Sequence, residues 1–457
     1  MVSELLSRSS GAGAWASVAF PRHRPHALLL VFAVLAASLM PAWSQGRPPP
    51  PPQPESPGLQ WLREHYPDHA WNLTIQRFNR TQDLWRKRKG PYAYNMTDQA
   101  EILDENLALD LAPWRRRRSH LSVQALLDYA RSLPRRGTVR LVLIKDGRLG
   151  FPLESGAGRS ACEKPCDPVL RDLLSDLRSW VASEPSHWPD VLFLLNAGDM
   201  SMCQKPSGPS VWQRRRNLYR GPCPVPVFSL IKEWGQYKDE DILVPPTSVM
   251  SPDLVYFPWD AKIDKAVFRG RSFCTISNYP YAEVCSRKHL AYLSETSPGW
   301  AARVDVGLMG QGADVSVDGH VLRPRGFLGV DELARFRFTL ALDGITASYR
   351  LALLLSLNSV VLKQQSPFIE WYYRSLVPGL HYVPFWEQSA EDLLPALEAL
   401  RGMDDYMKGI AGNGQDFAYR FLTPAARKYY WRAALYEYRK LFDGMGRYID
   451  QQSLPKD

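Results

Sequence analysis

The stretch "LDGITASYRLALLLSLNSVVLKQ", residues 342–364, decides how the rest of the chain is read. An acidic-glycine turn and three small residues lead to an arginine, then to an almost wholly apolar segment and a β-branched run. The pattern predicts a buried helix over residues 345–357 and a buried strand over 359–364. A helix N-terminus offers unpaired N–H groups and a partial positive charge, so it favours an anion. Thr346, Ala347 and Ser348 are small enough to let a diphosphate approach. Arg350 puts a full positive charge in the first turn, where it opposes the helix dipole unless an anion sits nearby. A capping role for Ser348 explains the serine but not the arginine.

The same grammar extends outward. "KAVFRG" (265–270) reads as a strand meeting a glycine, and "HYVPF" (381–385) as another strand. Upstream, "SVQALLDYARSL" (122–133) and "PVLRDLLSDLRSWVAS" (168–183) are amphipathic helices. "TVRLVLIKDGRLGF" (138–151) is two strands joined across Asp146-Gly147, a favoured hairpin dipeptide. "PDVLFLLNAGD" (189–199) is a buried strand running into a loop, and "VPVFSL" (225–230) resumes the strand pattern. Residues 57–118 read as a polar, Trp-rich helical wrap, and three or four helices close the chain after Ala390. No internal repeat is present. Strands alternating with helices mean α/β. We expect two Rossmann-like halves, residues 59–257 and 258–450, the second carrying a helical tail.

The totals fit two domains. A chain of 457 residues exceeds the size at which single cores stop growing. An apolar share of 45% is that of a well-buried globular body. The net charge of +9 is spread, with runs at Arg115–Arg118 and Arg214–Arg216. No helix-turn-helix, zinc-finger or RNP pattern accompanies them, so nucleic acid is excluded as a partner in favour of solvated surface or phosphate-bearing molecules. Ahead of the body, a basic flank precedes an apolar run from Ala27 to Met40. Residues 1–45 therefore read as a cleaved signal peptide or a type II signal anchor, the latter holding the protein to a membrane if uncleaved. Residues 46–58 form a proline-rich stalk. Sequons at Asn72, Asn79 and Asn95 follow, which supports a lumenal face in the secretory pathway, Golgi or endoplasmic reticulum. Cys162, Cys166, Cys203, Cys223, Cys274 and Cys285 lack metal-site spacing and favour disulfides, with 15 pairings open.

In open α/β sheets, ligands bind beyond the carboxyl ends of the strands. Two further loops are placed there. One ends in Asp199, a carboxylate able to act as general base on a bound hydroxyl. The other follows Phe268-Arg269-Gly270, where the glycine permits close approach and the arginine offers a fork for phosphate. Asp239 and Asp241 are the one carboxylate pair suited to a metal, but their polar surroundings read as a solvated charge run. A base facing an anion cradle is the layout of a transferase that moves a sugar from a nucleoside diphosphate. A non-catalytic lumenal lectin or scaffold that kept such a fold is the alternative.

Three stretches, "WDAKIDKAVFRGR" (259–271), "LALDGITASYRLALLLSLNSVVLKQQSPFIEWYYRSLVPGLHYVPF" (340–385) and "MKGIAGNGQDFAYRFLTPAARKYYWRAALYEYRKLF" (407–442), resemble glycosyltransferase family 90. That family includes protein O-glucosyltransferases and capsule-associated xylosyltransferases. The resemblance spans Val139 to Phe442 and implies a GT-B fold, two Rossmann-like domains facing across a cleft. It also implies inverting, metal-independent transfer from a UDP-sugar as co-substrate, without a cofactor, to a protein or glycan hydroxyl. The base would be Asp199, set after Asn196. The nucleotide sugar would meet Phe268, Arg269, Gly270, Arg287 and the segment Ile345, Thr346, Ala347, Ser348, Tyr349 and Arg350. The chain departs from the glucosyltransferases at Arg271 and in a longer loop holding Cys274 and Cys285, which we expect to pair with each other. "ILVPPTSVMSPD" has no match to their acceptor-gripping segment, so glucose and xylose both stay open.

Overall fold

The computed structural model describes residues 57–78, 102–133, 138–152, 167–203, 221–235, 238–247, 253–274, 284–310, 315–452 and 454. The leader, most of the stalk, Asn79, Asn95, Cys162, Cys166 and Arg214–Arg216 lie outside the described residues. Asn72 is exposed on a turn. Among the described residues no helix is long and apolar enough to cross a membrane.

The chain is mixed α/β. Its strands, in order, begin with β1 (Gln76–Phe78), β2 (Val139–Lys145), β3 (Arg148–Gly150) and β4 (Val191–Asn196). Next come β5 (Val227–Ser229), β6 (Lys232–Glu233), β7 (Ile242–Leu243) and β8 (Leu254–Tyr256). A first sheet has the order β3-β2-β4-β5-β7. As expected, β2 and β3 form a hairpin, and Asp146 and Gly147 at its tip have φ of 47° and 71°. Both central residues are left-handed, which suits an Asp-Gly turn. The first sheet is not a purely parallel one, since β2 runs antiparallel to β4 and only β4-β5-β7 is parallel.

The second half continues with β9 (Ile263–Gly270), β10 (Val304–Met309), β11 (Ser316–Val317), β12 (His320–Val321) and β13 (Pro324–Arg325). It ends with β14 (Phe336–Ala341), β15 (Val360–Gln364), β16 (Phe368–Ile369) and β17 (Val383–Phe385). Its main sheet has the order β13-β10-β9-β14-β15-β17, with every pairing parallel. Counted within that sheet the order is 3-2-1-4-5-6, the doubly wound arrangement whose strand order reverses between β9 and β14. Apolar runs without alternation are explained by burial on both faces. Val360 and Leu362 enter one core while Val361 between them enters the other.

The helix expected over residues 345–357 is shorter. It covers Arg350–Leu355, and residues 345–349 are a loop. The loop bonds elsewhere: Gly344 N–H donates to the Thr346 carbonyl at 3.0 Å, and Thr346 Oγ1 donates to the Asp199 carbonyl at 2.7 Å. Threonine and serine compete with the helix for such bonds. The N-cap is Tyr349, and no side chain caps the helix.

Several contacts tie the sequence halves together. The closing helix Pro424–Arg439 packs on the first sheet, where Phe228 meets Trp431 and Tyr438 at centroid distances of 5.6 and 4.8 Å. At the other seam, β16 pairs antiparallel with β6. Beneath it, Asp110 accepts from Lys232 at 2.5 Å and from Arg374 at 2.8 Å, all three side chains being buried or nearly so. The arginine run is largely consumed within the molecule: Arg115 pairs with Glu437, Arg117 with Glu240 and Arg118 with Asp443. These partly or largely exposed pairs join the wrap to the body.

Candidate functional site

The reversal point between β9 and β14 gathers most of the expected residues. Three loops leave the carboxyl ends of β9, β14 and β15 there, and a fourth arrives from β4 of the first sheet. The β4 loop is folded by Asn196. Its Nδ2 donates to the Met200 carbonyl at 2.6 Å and its Oδ1 accepts from Gly198 N–H at 3.1 Å. The tight Asn-Ala-Gly-Asp bend presents Asp199 toward the 345–349 loop, to which it is fastened through Thr346. No hydrogen bond or ion pair engages the Asp199 carboxylate among the described residues. Burial, and after it the nearby Asp167, push its pKa above the ordinary carboxylate value.

On the opposite side, Arg287 and Arg350 both lean over the Phe268 ring, at 5.2 and 5.4 Å from its centroid. Arg287 belongs to the helix Ser286–Thr296 and donates to the Arg271 and Leu342 carbonyls at 3.1 and 2.9 Å. Its Nε has no partner among the described residues. Arg350 donates to the Arg269 carbonyl. Burial and then the charge of Arg350 lower the Arg287 pKa to about 9, and burial lowers that of Arg350 to about 10. Two enclosed guanidiniums on one ring repel each other, and the nearby acid Asp343 is itself pushed up to about 6 by burial. Such a site favours an added anion.

Gly344 makes room for this: a Cβ there would lie 3.1 Å from Arg287 Nη2. At Gly270 a Cβ would meet the Phe268 ring at 2.5 Å, so the space that this glycine leaves is filled by Phe268. Arg269 faces away from the other two arginines. It is 2% exposed, grips Asp305 through Nη1–Oδ1 at 2.9 Å and Nη2–Oδ2 at 3.1 Å, and lies 4.8 Å from the Trp61 centroid. Its fork is taken by a carboxylate 36 residues on, which the sequence had no means to announce.

The 345–349 loop is anchored by Ala347, which packs with Ile231 and Phe368 in a small core flanked by Tyr349 and Tyr373. Ile345 and Ser348 are partly exposed beside it. The Tyr349 hydroxyl is buried without a partner among the described residues and lies in the field of Asp199, Glu370 and Asp167. Glu370 was missed by sequence reasoning. An acid inside "PFIEWYYR" carries no spacing signal, yet it is 1% exposed and accepts from Tyr373 Oη at 3.0 Å.

Asp239 and Asp241 are not a solvated run. They are 2% and 0% exposed. Asp241 accepts from the N–H groups of Met202 and Cys203 at 2.8 and 2.7 Å and from Ser229 Oγ at 2.5 Å, while Asp239 accepts from Ser201 Oγ and Glu233 N–H. Both hold the segment Ser201–Cys203, whose last residue is bonded to Cys223. Cys274 and Cys285 are paired, as expected, just ahead of the helix that carries Arg287.

Among known proteins, rat protein O-glucosyltransferase 3 (Rattus norvegicus) is 27% identical over 283 residues, 57% of this chain and 50% of that one. Zebrafish protein O-glucosyltransferase 2 (Danio rerio) is 27% identical over 273 residues, 55% and 48% of the two chains. The chain spans about half the length of the curated relatives it matches. A solved structure of Anabaena Alr3699/HepE in complex with UDP-glucose overlaps 36% of this chain and 47% of its own at 10% identity. Its TM-score of 0.26 is too low to establish a shared architecture. The family model described as Glycosyl transferase family 90 matches residues 173–447, more than half of the sequence and all the strands that build the reversal point, and the chain belongs to that family.

Proposed function

We propose that the chain transfers a sugar, glucose first and xylose second, from a UDP-sugar to a hydroxyl of a protein or glycan acceptor, in a lumen of the secretory pathway. The observation that carries this reading is the pairing of opposites across one seam. An unpaired carboxylate, Asp199, stands on one side, and two enclosed guanidiniums, Arg287 and Arg350, stand on the other. The relatives named protein O-glucosyltransferase favour glucose. Disulfides and the exposed sequon at Asn72 favour an oxidising, glycosylating compartment.

In this mechanism the two sheets face each other across the seam in a GT-B manner. The acceptor hydroxyl gives its proton to Asp199 as its oxygen bonds to the anomeric carbon from the side opposite UDP. The bond from that carbon to the β-phosphate oxygen breaks, and the configuration inverts. Negative charge grows on UDP, and Arg287 and Arg350 are placed to neutralise it. The Thr346–Ser348 loop packs beside the diphosphate. Asp239 and Asp241 are engaged by Ser201, Met202, Cys203, Ser229 and Glu233, so in this reading the arginines, not this carboxylate pair, serve the leaving group.

The test is transfer from UDP-glucose to a hydroxyl acceptor, with the product anomer read by NMR and EDTA added in parallel. Inverted product formed at an undiminished rate in EDTA is expected. Retained configuration, or loss of activity on chelation with rescue by manganese, contradicts the mechanism.

A further inference from the structure

Glu370 plays no part in that mechanism, yet its place is unusual. It directly follows β16, the short strand that clamps the second half of the chain to β6. Phe368 of that strand packs on Ala347, so the segment bearing Glu370 lies against the 345–349 loop. Of its two carboxyl oxygens, Oε1 accepts from Tyr373 Oη at 3.0 Å, while Oε2 takes no hydrogen bond among the described residues. Beside it the Tyr349 hydroxyl is enclosed and unpartnered. Asp199 acts on that same hydroxyl from the other side of the seam. An enclosed hydroxyl without a partner is costly unless a ligand completes it, and Glu370 Oε2, in the field of Arg427 and Lys363, is left to meet the same ligand.

We propose that Glu370 and Tyr349 form the floor of the sugar subsite, where the Glu370 carboxyl and the Tyr349 hydroxyl hold hydroxyls of the sugar being transferred. This rests on the reading of the chain as a UDP-sugar transferase and adds to it a contact with the sugar as distinct from the nucleotide. The chemistry suits a pyranose, whose adjacent hydroxyls each donate and accept. Burial raises the Glu370 pKa to about 8, so at neutral pH the group is mainly a neutral acid that both donates and accepts. Its neutrality also leaves Asp199 as the anion that receives the proton.

The experiment is calorimetric titration of the purified full chain with UDP and with UDP-glucose, repeated with UDP-xylose. Glu370→Ala is expected to weaken binding of the UDP-sugar about tenfold while leaving UDP within about twofold of wild type. Glu370→Gln, the isostere of the neutral acid, is expected to restore most of the loss. Tyr349→Phe, which removes only the unpartnered oxygen, repeats the comparison should Glu370→Ala fail to fold. Equal losses for UDP and UDP-sugar, or no loss for either, overturn the proposal while leaving the transferase reading intact. Wild-type protein that binds UDP but neither sugar nucleotide also overturns it. Wild-type protein that binds none of the three removes the transferase reading and this inference together.

Discussion

Asp199 and Arg350 divide the proposed chemistry between a proton and a leaving group, and single substitutions separate the two. Asp199→Asn is expected to reduce transfer by about 10²–10⁴-fold, the usual worth of a general base. UDP affinity should hold, because the carboxylate faces the acceptor side. Arg350→Ala is expected to weaken UDP binding by about tenfold to a hundredfold and to slow turnover as well, since a charge-assisted bond is lost. Lysine at that position should rescue only in part, for a point charge does not replace a planar fork. Unchanged UDP affinity in Arg350→Ala would remove this arginine from the anion site. The pH profile follows from Asp199 too. Burial and Asp167 raise its pKa, and the base works deprotonated, so kcat/KM should fall on acidification at a pH above the ordinary carboxylate value of about 4. Asp167→Asn should move that limb to lower pH without unfolding the helix it caps, because asparagine caps equally well. An acid limb unmoved by the change contradicts the assignment. At this scale local pattern placed Asp199 in a strand-end loop and Arg350 at a helix start, where the structure also has them, while their roles stand as proposals. The Asp305 partner of Arg269 was not legible, because a tertiary contact sets it, and Glu370 was not, because nothing local marks its burial.

Elements explain how those residues are held. The parallel strands β4, β5, β9, β15 and β17 were legible as apolar runs, and the Asp-Gly hairpin from its turn residues. Helix length was not, since Thr346 spends its hydroxyl on Asp199 across the seam and leaves only Arg350–Leu355 helical. The disulfide Cys274–Cys285 closes the loop between β9 and the helix Ser286–Thr296, whose second residue is Arg287. Replacing both cysteines by serine is expected to cost about 2–3 kcal/mol by chain entropy, read from urea unfolding. It should also weaken UDP binding, because Arg287 is then less firmly placed. Wild-type stability and affinity in the double variant would show that the helix start is fixed without the bond.

For the whole molecule, the two halves are joined by more than a linker. The β6–β16 pairing, the closing helix over the first sheet and the Asp110–Lys232–Arg374 group all cross between them. Asp110→Asn leaves two buried cations facing a neutral amide, and it is expected to cost about 3–5 kcal/mol of stability. A change under about 1 kcal/mol would mean that solvent reaches the group. In the doubly wound second half β9, β15 and β17 were legible, whereas β10 and β14, interrupted by Asp305 and Arg337, and the two-residue β13 were not. The crossing contacts were not, because Asp110 sits inside a wrap with no periodic signal and the closing helix returns to a sheet laid down some 200 residues earlier. The central claim is that one seam joins a base to an anion site and transfers a sugar between them. It is tested most directly by measuring UDP release from UDP-glucose and from UDP-xylose by the purified chain with a hydroxyl acceptor present, with Asp199→Asn beside it and UDP affinity measured for both proteins. The account predicts turnover by the wild type, a loss of at least a hundredfold in the variant, and equal UDP affinity. Equal turnover in the two proteins, or UDP binding with no turnover in either, would contradict it and leave a nucleotide-binding protein without the chemistry.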